Sequence, residues 1–212
     1  MQSDVRGVPS GPWEGAILRV GPVAPIVALV VGIVGFATNL GGDIRTGLFP
    51  LAMAVAFTLL ATSAQAVLRM HERPQRIVTV GGWWTTLALL GPAGFFGGVA
   101  IGAMVGLDEE TLGGFAILPV ASIAFGIFTM PIATTIFAMA VQRSGQLPPR
   151  TSVSMLVAGW VPPVLMIFGG LAEGTAESLG SAALSATFFG AWIVTGSAVR
   201  PGTPTSAIEA EL

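Results

Sequence analysis

Ala66-Val-Leu-Arg-Met-His-Glu-Arg-Pro-Gln-Arg76 and Ala140-Val-Gln-Arg-Ser-Gly-Gln-Leu-Pro-Pro-Arg150 agree without a gap at five of eleven positions: Ala, Val, Arg, Pro and Arg. Each follows a long apolar run and precedes another. Arg there suits the headgroup layer, and Pro forbids the preceding helix from continuing. A third end, Ala198-Val199-Arg200-Pro201, has the same form. Two such bends and a matching tail describe helices that leave a bilayer three times on one side.

Outward from these bends lie six apolar runs: Ala16 to Leu40, Thr46 to Leu68, Gly82 to Gly106, Gly114 to Gln142, Ser152 to Gly170, and Thr175 to Val199. About 20 apolar residues cross the hydrocarbon core as a helix. Runs this long without strict alternation satisfy their backbone groups as helices rather than as a barrel. The expectation is an all-α transmembrane six-helix bundle, arranged as three helical hairpins that are either true repeats or convergent. Residues 1–15 form an N-terminal segment, 16–199 the transmembrane domain, and 200–212 a polar, disordered tail. The fourth run is long enough to tilt or kink.

Composition agrees. Of 212 residues, 53% are hydrophobic and only 9% charged, with a mean hydropathy of +0.82, whereas soluble domains carry about a quarter charged residues. With a cytoplasmic N-terminus, eight of the nine Arg fall inside and only Arg45 outside, as the distribution of basic residues around membrane helices requires. Both termini then face the cytoplasm, and the localisation is a bacterial plasma (inner) membrane, crossed several times. The first run starts too late and is too long for a cleaved signal peptide.

Absences exclude whole chemistries. The chain has no Cys, no Lys and one His, so thiol nucleophiles, Schiff bases and clustered Cys or His metal sites are out of reach. No cofactor is expected. A net charge of −2 gives no reason to expect nucleic acid. Every Asp, Glu and Arg can sit in a loop or at an interface, which argues against proton coupling and against an intramembrane enzyme. The outer acids Asp108, Glu109, Glu110, Glu173 and Glu177 fit a solvated rim as well as a calcium site, and their spacing is no known calcium loop. His71 is expected to be exposed and incidental.

Two stretches bear on assembly and ligands. Gly94, Gly98, Gly102 and Gly106 recur every four residues, and Ser178, Ala182, Ala186 and Gly190 form a similar strip. Small residues let helices approach closely in lipid, so these strips are expected to pack on each other or on a second copy. Ala158-Gly159-Trp160-Val161-Pro162-Pro163 loses two backbone donors, freeing the carbonyls of Ala158 and Gly159. Trp160 lies ten residues past Arg150, about 15 Å deep. A helix broken near the midplane builds substrate sites in transporters, so Ala158, Gly159, Trp160, Pro162 and Pro163 are candidate ligand-binding residues; an ordinary Pro kink is the alternative. Arg69, Arg73 and Arg76 are expected to contact lipid headgroups.

The run from Ile117 to Arg150, with Arg143, Leu147, Pro148 and Arg150 in its bend, resembles a recurring, largely uncharacterised type of small multi-pass bacterial membrane protein common in actinobacteria. That resemblance implies no active-site residues. Two functions fit the sequence. One is an accessory or structural subunit, packing in the lipid bilayer against a membrane-protein partner or itself. The other is a passive transporter or channel for a neutral or apolar small molecule.

Overall fold

The computed structural model describes residues 12–39, 48–71, 75–106, 117–171 and 175–199. They form seven helices: α1 (Pro12–Val20), α2 (Ala24–Asn39), α3 (Leu48–Arg69), α4 (Arg76–Val105), α5 (Ile117–Ser144), α6 (Pro149–Leu171) and α7 (Thr175–Ser197). No strand occurs among the described residues. Three helical stretches, Leu48–Arg69, Arg76–Val105 and Ala121–Ser144, are long and apolar enough to cross a membrane. Shorter apolar stretches occupy Ala24–Gly35 and Ala183–Ser197.

The first expected run is two helices rather than one. Gly21, Pro22 and Val23 form a turn, closed by Gly21 N–H to Ile17 O at 2.8 Å and Val23 N–H to Val20 O at 3.0 Å. Pro22 lacks a donor and disfavours helical geometry at the residue before it, so the helix restarts at Ala24. α1 therefore begins at Pro12, inside the segment expected to precede the bundle, and its Ile17 and Leu18 pack against the core. α2 is left with 16 residues, about 24 Å. α4 departs in the other direction: it starts at Arg76 and runs 30 residues, about 45 Å, longer than the hydrocarbon it would cross.

Successive helices from α2 to α7 pack on one another, and α7 closes on α2 and α3. The Arg-bearing bends gather at one end of this bundle, here called the bend end. The α5–α6 bend shows its construction. Gly145 takes a left-handed φ of 64°, which a side chain would resist. Leu147 tucks into the core, and Pro149 opens α6 at a position whose N–H needs no partner.

Two buried clusters follow. One fills the bend end with Val67, Leu68, Val78, Phe137, Val141, Leu147, Met155 and Val199. The other lies at mid-height and includes Leu60, Leu89, Met130, Val161, Phe188, Phe189 and Trp192. The outside of the bundle is apolar as well: Val30, Ile33, Val80, Leu87, Phe128, Ile132 and Val153 are among many large exposed side chains. Among side chains described, the charged ones are Arg19, Arg69, Arg76, Arg143 and Arg150, all near the bend end.

Candidate functional site

A cavity of about 230 Å³ lies between the helices beyond the mid-height cluster, away from the bends. α3 supplies Met53 and Phe57, and α4 supplies Pro92 and Phe96. α5 contributes Ile123, Gly126, Ile127 and Met130. Pro162 of α6 and Ser185, Phe188 and Phe189 of α7 complete the wall. Ser185 alone among these residues has a polar side chain. A cavity with so little polar lining favours apolar occupants over water.

Local sequence explains why a gap opens here. Gly91 and Gly126 bring α4 and α5 together: a Cβ at Gly126 would lie 2.5 Å from Pro92 Cδ and 2.6 Å from Ala88 O. Immediately beyond, bulky rings hold the helices apart. Phe57 lies 6.1 Å from Phe96, nearly parallel at 10°, and 6.0 Å from Phe188. Phe188 meets Phe189 edge-on at 5.4 Å, while Phe49 and Phe95 back Phe96 at 6.2 and 5.2 Å.

The five candidate ligand residues of α6 do not form one site. The helix runs unbroken from Pro149 to Leu171 through Pro162 and Pro163, as an ordinary Pro-containing membrane helix does and a broken one would not. Ala158 is fully buried in the mid-height cluster, and Gly159 packs on the Thr134 side chain of α5. Trp160 points outward and is 55% exposed, with its indole N–H 3.4 Å from Thr135 Oγ1. Pro162 lines the cavity, whereas Pro163 borders a shallow hollow with Ile127, Phe128 and Ile167. Only one of the five faces the cavity.

The small-residue strips are likewise separated. α4 packs on α3 and α5, and α7 packs on α6, α2 and α3, so the two strips do not form a principal helix contact with each other. Gly94 is exposed, Gly98 half-buried and Gly102 buried. Gly106 is the left-handed cap of α4, with φ 71° and its N–H directed to Ala103 O and Gly102 O. Its role is to stop the helix. On α7, Ala186 is exposed and Gly190 half-buried with open space where a Cβ would go. The side chains of Ser178 and Ala182, like Arg73 and the outer acids, lie outside the described residues. Arg76 is exposed and Arg69 half-buried at the bend end. Among the described residues no group of His or acidic side chains is placed to hold a metal.

Sequence reasoning missed the polar pairs that join helices. Gln65 Nε2 donates to Thr86 Oγ1 at 2.7 Å between α3 and α4, in a fully buried setting. Ser154 and Thr195 hydroxyls lie 2.9 Å apart between α6 and α7. His71 is not the exposed residue expected: it is 5% exposed, with Nδ1 3.0 Å from Val67 O and Nε2 3.1 Å from Ser144 Oγ. It ties the end of α3 to the end of α5. Burial pushes its pKa below the usual histidine value, and the bond to Val67 partly opposes that. A lone Gln within an apolar run was the available signal for the first pair; nothing in sequence places His71 beside Ser144.

Comparison of the chain with family models, with curated proteins and with solved structures yields no match.

Proposed function

We propose that the chain is a multi-pass protein of the bacterial plasma membrane, crossing it six times with α2 to α7 and keeping its Arg-Pro bends cytoplasmic. Its activity is to accommodate a neutral apolar small molecule in the cavity among α3 to α7, without ion or proton coupling. The observation that carries this reading is the cavity itself: about 230 Å³, walled by Phe, Met, Ile and Pro, with no charged side chain among the described residues that line it. An exterior covered with large aliphatic side chains, and described charges confined to one end, support the membrane setting.

Binding fits better than free conduction. The bend-end cluster packs the bundle between the cavity and the bends, which favours a held solute over one that passes through. Xenon enters dry apolar cavities through dispersion contacts and is the simplest probe. In lipid nanodiscs, ¹³C-methyl signals of Met53 and Met130 should shift saturably under xenon. Ser185→Trp, which fills the hollow, should abolish those shifts. Shifts spread evenly over all eight methionines, or unchanged in Ser185→Trp, would refute the reading.

The accessory-subunit reading has one observation in its favour: Gly94 and Ala186 leave small exposed patches where a partner helix would fit closely. A stoichiometric partner that co-purifies from native membranes and is lost in Gly94→Leu would favour it.

A further inference from the structure

Entry into this cavity from a bilayer gains little from leaving water, because hydrocarbon already surrounds the solute. Selectivity has to come from contacts that lipid tails lack. The wall offers two kinds. Phe57, Phe96, Phe188 and Phe189 present ring faces and edges at mutual centroid distances of 5.4 to 6.1 Å. Met53 and Met130 add polarizable thioethers, which favour aromatic neighbours. A saturated chain meets these groups much as it meets other lipid tails. An aromatic ring gains edge-to-face, offset-stacked and sulfur contacts that saturated carbon cannot make.

Resting on the cavity reading above, we infer that the site selects a neutral aromatic molecule over a saturated one of the same carbon skeleton. Size agrees. A dry engineered cavity of about 150 Å³ holds benzene, and the larger volume here suits about two fused rings. A charged ring system is disfavoured, since no charged side chain is among the described residues of the wall and an unpaired charge in such surroundings is costly. Among the described lining residues Ser185 alone offers a hydroxyl, so a single weak acceptor or donor on the ligand is tolerated.

Naphthalene and decalin share a ten-carbon bicyclic skeleton and differ in aromaticity. Each is titrated into full-length protein in dimyristoyl-phosphatidylcholine nanodiscs, with empty nanodiscs giving the partition background. Saturable retention of naphthalene is expected, preferred over decalin by roughly tenfold after that correction, since each aromatic contact contributes about two- to tenfold. Phe188→Leu should reduce the preference by about two- to tenfold. Met53→Leu, which conserves volume and folding, should reduce it by a smaller factor.

Equal saturable retention of both compounds would overturn aromatic selection and leave the apolar cavity standing. Retention of neither above empty nanodiscs would remove both readings. A preference untouched by both Phe188→Leu and Met53→Leu would place the selective site elsewhere and overturn the inference. If Phe188→Leu fails to fold, Met53→Leu and naphthalene competition by xenon decide it, because both address the same wall.

Discussion

The two halves of the bundle use the same helices and hold together by different means. Toward the bends, Gly81 and Gly159 let neighbours close to the limit: a Cβ at Gly81 would lie 2.9 Å from Phe137 backbone, and one at Gly159 would fall on the Thr134 side chain. Hydrogen bonds between helices, Gln65 to Thr86 and Ser154 to Thr195, lie in the same half. Beyond mid-height, close approaches persist at Gly35 and Gly91, but between them Phe rings and a hollow separate α3, α4 and α7. Lipid supplies no hydrophobic force to squeeze that hollow shut, so helices close only where small residues and polar pairs draw them together. Where the sequence offers rings instead, space remains.

The comparison predicts unequal responses to the same substitution. Gly159→Leu drives a side chain into Thr134, beyond the about 1–3 kcal/mol of ordinary overpacking. Loss of the monodisperse folded species in detergent is expected. Among the described residues, Gly94→Leu on α4 meets Ser122 Oγ alone, 3.7 Å from the added Cβ, and should change stability by about 0.5 kcal/mol or less. Thermal unfolding of both variants checks this. Similar losses in the two would mean that the α4 face at Gly94 is packed as closely as the α5–α6 contact at Gly159.

A second measurement isolates the polar pairing. Gln65→Leu removes the donor to Thr86, whose hydroxyl still bonds Gly82 O at 2.9 Å. The cost should be about 1 kcal/mol, within the range found for hydrogen bonds between membrane helices. A double-mutant cycle with Thr86→Val reports the coupling directly. A coupling near zero would leave close packing as the sole difference between the halves.

How much of this was readable beforehand differs by level. Long apolar runs and Arg-Pro bends specify most helix positions, because crossing length and terminal chemistry are local properties. The turn at Pro22 is legible as chemistry, but apolar residues on both sides of it read as one continuous span. The cavity was not legible. Its wall takes Met53, Phe96, Ile127, Pro162 and Phe188 from five helices, and no local pattern distinguishes a Phe facing a hollow from one facing lipid. Gly94, Gly98, Gly102 and Gly106 had the right spacing for a groove, yet spacing alone does not say which glycine meets a helix. Gly91 and Gly126, off that strip, make the close approach.

The bend end has one further distinction, and it concerns protons. His71 bridges Val67 O and Ser144 Oγ across α3 and α5, while Ser144 Oγ also reaches Val141 O at 2.6 Å. With Nδ1–H bonded to Val67, the neutral ring needs the Ser144 proton at Nε2, and Val141 O competes for that proton. Burial nonetheless holds the ring neutral by lowering its pKa, so the unfolded chain binds a proton more readily than the folded one. Above about pH 6.5 both states are neutral and stability should be flat. As pH falls below that value the unfolded state alone takes up the proton, and stability should decline until the folded ring also titrates. Carboxylates titrate near pH 4, well below this window. Melting temperatures in nanodiscs between pH 7.5 and 5 measure the effect, and His71→Gln should flatten the curve. An acid-dependent fall that survives in His71→Gln would mean that a group other than His71 titrates in this window and would overturn the assignment.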